Sequence, residues 1–365
     1  MKDSTIDTSP LSLFRFLAVV TVVFIHYGNK IENFYMFPNN ITRGGSIITF
    51  FFILSGFGLF GGYQKQGGIN LRQFFIKRTI RILPFYYLAL LMMALILLIS
   101  QRFYFTEFFL SLFCIQSWFP GYQHSINPPG WFVADLLFFY CLFPVIFFLI
   151  KKLAPSARKL LFSSILLWFF TLIIHNKQLA GYPATYYNYI DCFPISWFCS
   201  FFMGICGAYY VTNNETKSDL VNNNSILYTL LILILCSVIM LIHQGEVAEL
   251  IETKLPFEAN LYAPVFLILI INLSTARNSL TKLLSLRFFM LLGALSYPLY
   301  IFQTPIHTIY SHFISKPMKL HPEADFIFFL MIFMLFAWAL TLFEKNIFKR
   351  IFYKDLTARP EAKKI

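Results

Sequence analysis

Residues 11–29 read LSLFRFLAVVTVVFIHYGN, a stretch apolar and long enough to cross a membrane as one helix. It nevertheless contains an arginine, Arg15, and a histidine, His26. At ~100° per residue their spacing is three helical turns, so both side chains lie on one helix face, about 16 Å apart along the axis. Ionisable groups at membrane depth cost roughly 2.5–3.5 kcal/mol each and tend to face a protein interior or a watery cavity. The pair is therefore either a membrane-edge anchor with a headgroup-level histidine, or one face of a functional site.

The whole chain is as apolar as this stretch. Of its 365 residues, 58% are hydrophobic and 13% are charged, with 46 Phe and 20 Tyr, and the mean hydropathy is +0.66. A soluble globular chain carries about 25% charged residues, so the composition predicts a protein that crosses the bilayer many times. The six cysteines form no CxxC pair and have no histidine at metal-ligand spacing, so no metal is expected.

Hydropathy predicts an all-α integral membrane protein, a bundle of about ten transmembrane helices. The predicted spans are 11–28, 45–63, 83–100, 131–150, 159–175, 191–211, 226–243, 257–273, 288–312 and 324–343. We expect the first span to stay uncleaved, because the bulky and polar residues after it offer no cleavage site. The apolar stretch 103–119 is interpreted as an interfacial or re-entrant segment. One transmembrane domain is expected over 1–345, followed by a basic cytoplasmic tail over 346–365.

The distribution of positive charge predicts the orientation of these spans. With the N-terminus inside, 21 of the 29 lysines and arginines lie in inside segments, seven lie in outside segments, and Arg15 lies in the first span. This bias satisfies the positive-inside rule and places both termini in the cytoplasm. The net charge of +12 then faces anionic lipid on the cytoplasmic side, and no nucleic-acid partner is needed to explain it.

Two segments near the predicted cytoplasmic side have a chemical interpretation beside a structural one. In the second span, Ser55 and Gly56 would let a ligand or another helix approach the backbone closely, and helix packing alone is the alternative. Just before the third span, Arg78 and Arg81 are three residues apart and share a helix face. Guanidinium groups suit phosphate because they donate two hydrogen bonds and keep their charge. The alternative is an ordinary positive-inside cluster.

Two further segments carry polar residues toward the predicted outer side. Trp131 and Asp135 share a face of the fourth span, and Gln303 and His307 share a face near the end of the ninth. A carboxylate inside the membrane needs a partner. The ionisable groups that could form a polar pocket at this side are His26, Asp135, Asp191 and His307.

Taken in order, these segments resemble the membrane-bound acyltransferase type-3 family, which includes bacterial O-antigen and Nod-factor O-acetyltransferases. The resemblance covers about 10–310 and consists of Arg-x10-His, an FFxLSGF-like run, Arg-x-x-Arg before a proline and aromatics, a Trp followed by an FYLLFP-like run, and an LGxxSYxLY-like run. The matching positions are Arg15, His26, Phe51, Phe52, Leu54, Ser55, Gly56, Phe57, Arg78, Arg81, Pro84, Tyr86, Trp131, Phe139, Tyr140, Leu142, Phe143, Pro144, Leu292, Gly293, Ser296, Tyr297, Leu299 and Tyr300.

The sequence departs from the family pattern at two places. Many members have a glutamate five residues after the Trp, where this chain has Leu136, with Asp135 one position earlier. The last motif often ends in His, where this chain has Gln303. The acid-base partner of the first-span histidine is therefore left open.

The resemblance implies an enzyme of the bacterial cytoplasmic membrane that moves an acyl group, commonly acetyl, from cytoplasmic acyl-CoA to a hydroxyl of a surface polysaccharide or its lipid-linked precursor. Arg78 and Arg81 would hold the CoA phosphates, beside Ser55 and Gly56. The residues expected to contact the acceptor are Trp131, Tyr140, Asp191, Tyr297 and Gln303.

The resemblance also gives roles to the polar groups of the first span. His26 would act as general base or as a transient acyl carrier, with Asp135 or Asp191 fixing its tautomer. Arg15 would steer the donor or stabilise a developing oxyanion. With the donor site and His26 on opposite sides of the membrane, the acyl arm would have to thread the bundle.

Three alternatives stay open at this point. A small acceptor such as a macrolide or a lipid would leave the same sequence pattern. A transporter or flippase would also show about ten helices with buried charge, but it often shows repeated halves, and 1–180 and 181–365 have no evident similarity. A catalytically inactive scaffold is the third possibility.

Overall fold

The computed structural model describes residues 6–28, 31, 45–179, 189–213, 228 and 260–344. All regular elements in these ranges are helical. The first six helices are α1 (Ser12–Tyr27), α2 (Gly45–Lys65), α3 (Leu71–Ile99), α4 (Phe105–Leu112), α5 (Gly130–Leu153) and α6 (Ala157–Leu179). The longer helices that follow are α7 (Pro194–Asn213), α8 (Ala263–Thr275), α9 (Ser279–Leu284), α10 (Arg287–Ile301), α11 (Gln303–Tyr310) and α12 (Pro322–Phe343). A π-helical turn (Ser311–Ser315) and a three-residue helix (Lys316–Met318) continue α11. The structure therefore confirms the all-α class.

Seven of these helices, namely α1, α2, α3, α5, α6, α7 and α12, are long and apolar enough to cross a membrane. An eighth span is formed if α10 is counted together with Gln303–Met318, the segment that begins with α11 and meets α10 at a bend of 72°. Helix α8 is apolar but has only 13 residues. The predicted span 226–243 and the predicted tail 346–365 lie outside the described ranges, apart from Tyr228. The count of ten and the orientation of the termini therefore stay predictions.

The segment predicted to be interfacial is short. Helix α4 has eight residues, which is about 12 Å and less than half of a hydrocarbon core. A 3-10 turn at Gln116–Trp118 follows it. The hydroxyl of Tyr86 on α3 donates to the carbonyl of Ser111 at 2.5 Å and ties the segment to the bundle. Its geometry agrees with a segment that does not cross.

Glycines let two pairs of helices pack backbone to backbone. A Cβ atom at Gly56 of α2 would lie 2.1 Å from the carbonyl oxygen of Phe201, and one at Gly204 of α7 would lie 2.1 Å from that of Ile53. On the other side of the bundle, a Cβ atom at Gly293 would lie 2.7 Å from Cβ of Ser12. Small residues permit such approach in membrane bundles, where apolar surface alone does not drive helices together.

The bend between α10 and α11 places a polar residue inside the bundle. The helix breaks at Phe302, and the Asn127 side-chain amide donates to the carbonyl of Ile301 at 3.0 Å. A carbonyl freed by a break in a membrane helix needs such a donor. Gln303, which begins α11, is fully buried. The bend thereby turns its side chain toward the end of α1.

The two ends of the bundle differ in chemistry. We call the end that holds Arg15, Arg78 and Arg81 the arginine end, and the end that holds His26 and Gln303 the histidine end. Helix α1 connects them, with Arg15 in its first turn and His26 in its last.

Candidate active site

A cavity of about 810 Å³ enters the bundle from the arginine end. Its walls come from α1, α2, α3, α5 and α10, together with the C-terminal end of α12. The volume falls in the range of about 300–1,000 Å³ that is typical of sites for small ligands. The cavity contains three of the arginines predicted to be functional, Arg15, Arg78 and Arg81. Arg81 is exposed, so the cavity reaches the surface beside this residue.

Positive charge dominates this cavity. Against the three arginines, Glu344 is the one carboxylate that lines it within the described residues. Arg15 and Arg81 are close enough to repel each other electrostatically. An excess of cations held together in a partly enclosed site favours a multiply charged anion as the occupant.

Two of the arginines present donors without partners. The Nη2 of Arg15 donates to the hydroxyl of Ser12 at 3.0 Å. The Nε atoms of Arg15 and Arg78 are buried and, among the residues that the structure describes, have no hydrogen-bond partner. Buried donors are almost always satisfied, so these two N–H groups are suited to a ligand with acceptor oxygens.

Aromatic rings hold Arg78 in place. Its guanidinium carbon lies 5.8 Å from the ring centre of Tyr63, 5.9 Å from that of Phe74 and 5.9 Å from that of Tyr140. Each contact is a cation–π interaction, worth about 0.5–2 kcal/mol depending on exposure. The rings stabilise the positive charge of Arg78 without engaging its N–H donors, which stay available to an oxyanion.

Several other predicted residues also line the cavity. Ser55, Tyr140 and Tyr297 are part of its wall, and the Tyr297 hydroxyl donates to the carbonyl of Ile82 at 2.7 Å. Tyr140 and Tyr297, predicted to contact the acceptor, therefore lie with the arginines. Gly56 faces Phe201 of α7 instead, so the packing interpretation describes its position.

Sequence reasoning gave no chemical role to several polar residues in the wall, although Ser296 belongs to the LGxxSYxLY-like run. Ser12, Ser296 and Glu344 line the cavity, and the hydroxyl of Ser296 is buried with no partner in the described part of the chain. Serine in an apolar helix is too common to signal a site. Only the packing of α1 against α10 shows that Ser12 and Ser296 face the same space as Arg15.

At the histidine end, His26 is held by Gln303. The Nδ1 atom of His26 lies 2.8 Å from Oε1 of Gln303, and Nε2 of Gln303 donates to the carbonyl of Tyr300 at 2.8 Å. A carbonyl only accepts, so the amide nitrogen must face Tyr300 and the amide oxygen must face His26. His26 therefore carries its proton on Nδ1, which leaves Nε2 unprotonated in the neutral ring. His26 is exposed at the surface of the described helices.

Among the residues that the structure describes, the side chain at Nδ1 of His26 is Gln303 and not a carboxylate. Asp135 is completely buried on α5, beside the hydroxyl of Ser117. Neither of its carboxylate oxygens makes a hydrogen bond of normal geometry to another described residue. Asp191 accepts a bond from the Trp197 indole through its main-chain carbonyl, at 2.8 Å. The contact expected from Asp135 or Asp191 belongs to Gln303, which had been predicted to contact the acceptor.

Trp131 lies in the first turn of α5. Its ring stacks on Trp197 with 6.0 Å between centres and meets Phe132 edge-on at 6.3 Å. It is half-buried, and within the described ranges it is not part of the cavity wall.

A second imidazole stands at the histidine end. His124 lies in the loop before α5, with Nε2 3.8 Å from the sulfur of Cys192. Desolvation of the ring lowers the pKa of His124, and the nearby His26 lowers it further. Sequence reasoning missed this residue because an irregular loop has no periodicity to single it out.

Comparison with known proteins identifies the family of the chain. A family model described as an acyltransferase domain matches residues 10–351. Neither a curated protein nor a solved structure matches the chain. Within the described residues, no group of three His, Cys, Asp or Glu side chains is placed to hold a metal ion. The matched range contains both the arginine cavity and the His26–Gln303 pair, and the chain belongs to the membrane-bound acyltransferase type-3 family.

Proposed function

We propose that this membrane acyltransferase takes an acetyl group from acetyl-CoA at the arginine end and transfers it to a hydroxyl of a cell-surface polysaccharide or its lipid-linked precursor. The observation that carries the proposal is the cavity in which Arg15, Arg78 and Arg81 converge. The excess of lysine and arginine in the predicted inside segments supports a cytoplasmic arginine end. The multi-pass protein would then reside in a bacterial cytoplasmic membrane.

The donor set of the cavity fits the phosphates of CoA. The two unpartnered Nε donors belong to guanidinium groups, which stay charged and bind phosphate oxygens well. The ring cage around Arg78 fixes one of them before the ligand arrives, which lowers the ordering cost of binding. A bound acyl-CoA would supply an activated thioester carbonyl.

His26 is suited to activate the acceptor. Its unprotonated Nε2 can take the proton from an acceptor hydroxyl as that oxygen forms its bond to the acyl carbon, while CoA leaves as the thiol or thiolate. Gln303 keeps the proton on Nδ1 without adding a negative charge, so the resting imidazole stays neutral and basic. The same Nε2 could instead carry the acyl group transiently.

The test is a comparison of two charge-removing variants on one helix. Arg78→Ala combined with Arg81→Ala is expected to weaken acetyl-CoA binding to the purified protein at least about tenfold, since charge-assisted contacts are worth roughly 1.5–3 kcal/mol each. Lys77→Ala is the matched control, because Lys77 lies between them in sequence but is not among the described residues of the cavity wall.

Two outcomes would contradict the proposal. If the wild-type protein neither binds nor hydrolyses acetyl-CoA, the donor is wrong, and a glycan transporter or flippase becomes the better interpretation. If Lys77→Ala weakens binding as much as the double variant, the cavity does not hold the donor.

A further inference from the structure

We infer that three aromatic rings at the blind end of the cavity, those of Phe51, Phe132 and Tyr300, set the length of the acyl group that the enzyme can transfer. The inference rests on the proposed function, since it needs an acyl donor in the cavity. It adds a specificity determinant to that donor site.

The chemistry of the wall changes along the cavity. Helix α10 contributes Met290 near the arginine end and Tyr300 ten residues later, which is about 15 Å further along the axis. Helix α5 runs the opposite way and contributes Tyr140 near the arginines and Phe132 about 12 Å beyond it. The phosphate-binding groups therefore lie at one end and the rings at the other, as a donor with a charged head and an acyl tip requires.

The rings touch one another across the end of the cavity. The ring of Phe132 meets Tyr300 at 5.2 Å between centres and Phe51 at 6.2 Å, both edge to face. All three line the cavity, and the side chains of Phe132 and Tyr300 are buried. In the described part of the chain, the residues just past them, including Trp131 and Gln303, do not line it.

This wall is held rigidly. Phe132 packs against Phe52 at 4.9 Å, and Phe52 packs against Phe139 at 5.2 Å and Trp197 at 5.4 Å. Close-packed rings yield little to an extra methylene group. An acyl group that must fit against these rings is therefore selected by size.

The wall is also coupled to the base. The carbonyl of Tyr300 accepts the Gln303 amide, which in turn holds His26. The main chain of Tyr300 is thus linked to His26 through Gln303 by two hydrogen bonds.

The experiment measures the ratio of butyryl to acetyl transfer, with butyryl-CoA and acetyl-CoA as donors, in the full-length protein. Phe132→Ala is expected to raise this ratio at least about tenfold, because a methylene group in an apolar pocket changes selectivity by roughly 10–200-fold. Phe132→Leu, which removes less volume, should raise it less. A ratio within one variant is independent of how much protein folds.

Phe147→Ala is the matched control. It removes the same ring from the same helix, but Phe147 packs against Phe60 at 5.3 Å between ring centres and is not among the described residues of the cavity wall. Its ratio should equal that of the wild type. If the wild type transfers acetyl and neither Phe132 variant changes the ratio, the inference is overturned and the proposed function stands. If the wild type does not use acyl-CoA at all, the proposed function itself fails.

Discussion

His26 and Gln303 are 277 positions apart in the chain, yet Nδ1 of one lies 2.8 Å from Oε1 of the other. Because Gln303 also donates to the carbonyl of Tyr300, its amide has one possible orientation, and that orientation fixes the proton of His26 on Nδ1. The neutral amide of Gln303 thereby orients the imidazole of His26, a role that was expected of a carboxylate. The basic Nε2 is directed away from this contact.

Gln303→Leu should lower the rate of acyl transfer about 10–100-fold, the usual effect of removing a group that orients a functional histidine. Donor binding should be unchanged, since Gln303 is not among the described residues of the cavity wall. The measurement is kcat for acetyl transfer together with the Kd for acetyl-CoA. Thr308→Val is the control, because Thr308 lies on the same helix and its hydroxyl donates to the carbonyl of Thr304 at 2.8 Å. An equal loss in both variants would argue for a general packing defect.

His26→Ala should abolish transfer, with a loss of about 10²–10⁴-fold, and should leave acetyl-CoA binding intact because the two sites lie at opposite ends of α1. Acetylation of surface polysaccharide in cells and Kd in detergent measure the two effects. Thr21→Val serves as the reference, because Thr21 lies on the same helix and its hydroxyl donates to the carbonyl of Leu17. Full acetylation by the His26→Ala protein would refute the catalytic assignment.

Labelled donor without acceptor distinguishes the two roles of His26. A general base accumulates no covalent species, whereas an acyl carrier gives labelled protein that His26→Ala lacks. Because imidazole Nε2 is unprotonated and accessible, either result is chemically consistent with the structure. We predict no labelled protein, since Gln303 holds His26 as a neutral proton acceptor.

Asp135→Asn should preserve most of the transfer activity, in contrast to Gln303→Leu. The carboxyl group is completely buried and does not contact His26, and an unpaired carboxylate in an apolar interior is costly. Replacing it with an amide of the same shape should leave the unfolding temperature unchanged or raise it. A loss of transfer activity as large as that of His26→Ala would show that Asp135 takes part in catalysis.

Gly204→Leu should destabilise the bundle by at least about 1–3 kcal/mol, the range for overpacking, because its Cβ would lie 2.1 Å from the Ile53 carbonyl oxygen. The expected result is a lower unfolding temperature in detergent. Gly62→Ala on α2 is the control, since a Cβ there meets no described atom within 4 Å and alanine favours a helix by about 0.5–1 kcal/mol over glycine. Similar losses in both variants would show that the α2–α7 contact is not special.

The protonation of His124 should make the fold acid-sensitive. Desolvation and the nearby His26 lower its pKa in the folded protein, so the unfolded chain binds the proton more readily and stability falls as the pH drops below about 6.5, the pKa of an unperturbed histidine. His124→Asn should reduce the fall in unfolding temperature between neutral pH and about pH 5. His312→Asn, at an exposed site, is the control and should show the same decrease in unfolding temperature as the wild type.

The sequence by itself determined the helical membrane class, the face shared by Arg15 and His26, and the pairing of Arg78 with Arg81. Each of these depends on hydropathy or on spacing within one helix, where a rise of about 1.5 Å per residue fixes the geometry locally.

Only the tertiary structure decided which groups work together. It placed Arg15 in a cavity with Arg78 and Arg81. It paired His26 with Gln303, rather than with Asp135, in a hydrogen bond, and it packed Gly56 against α7. These contacts join distant segments across a broken helix and two close helix crossings. Their geometry depends on how whole helices pack, which local spacing does not encode.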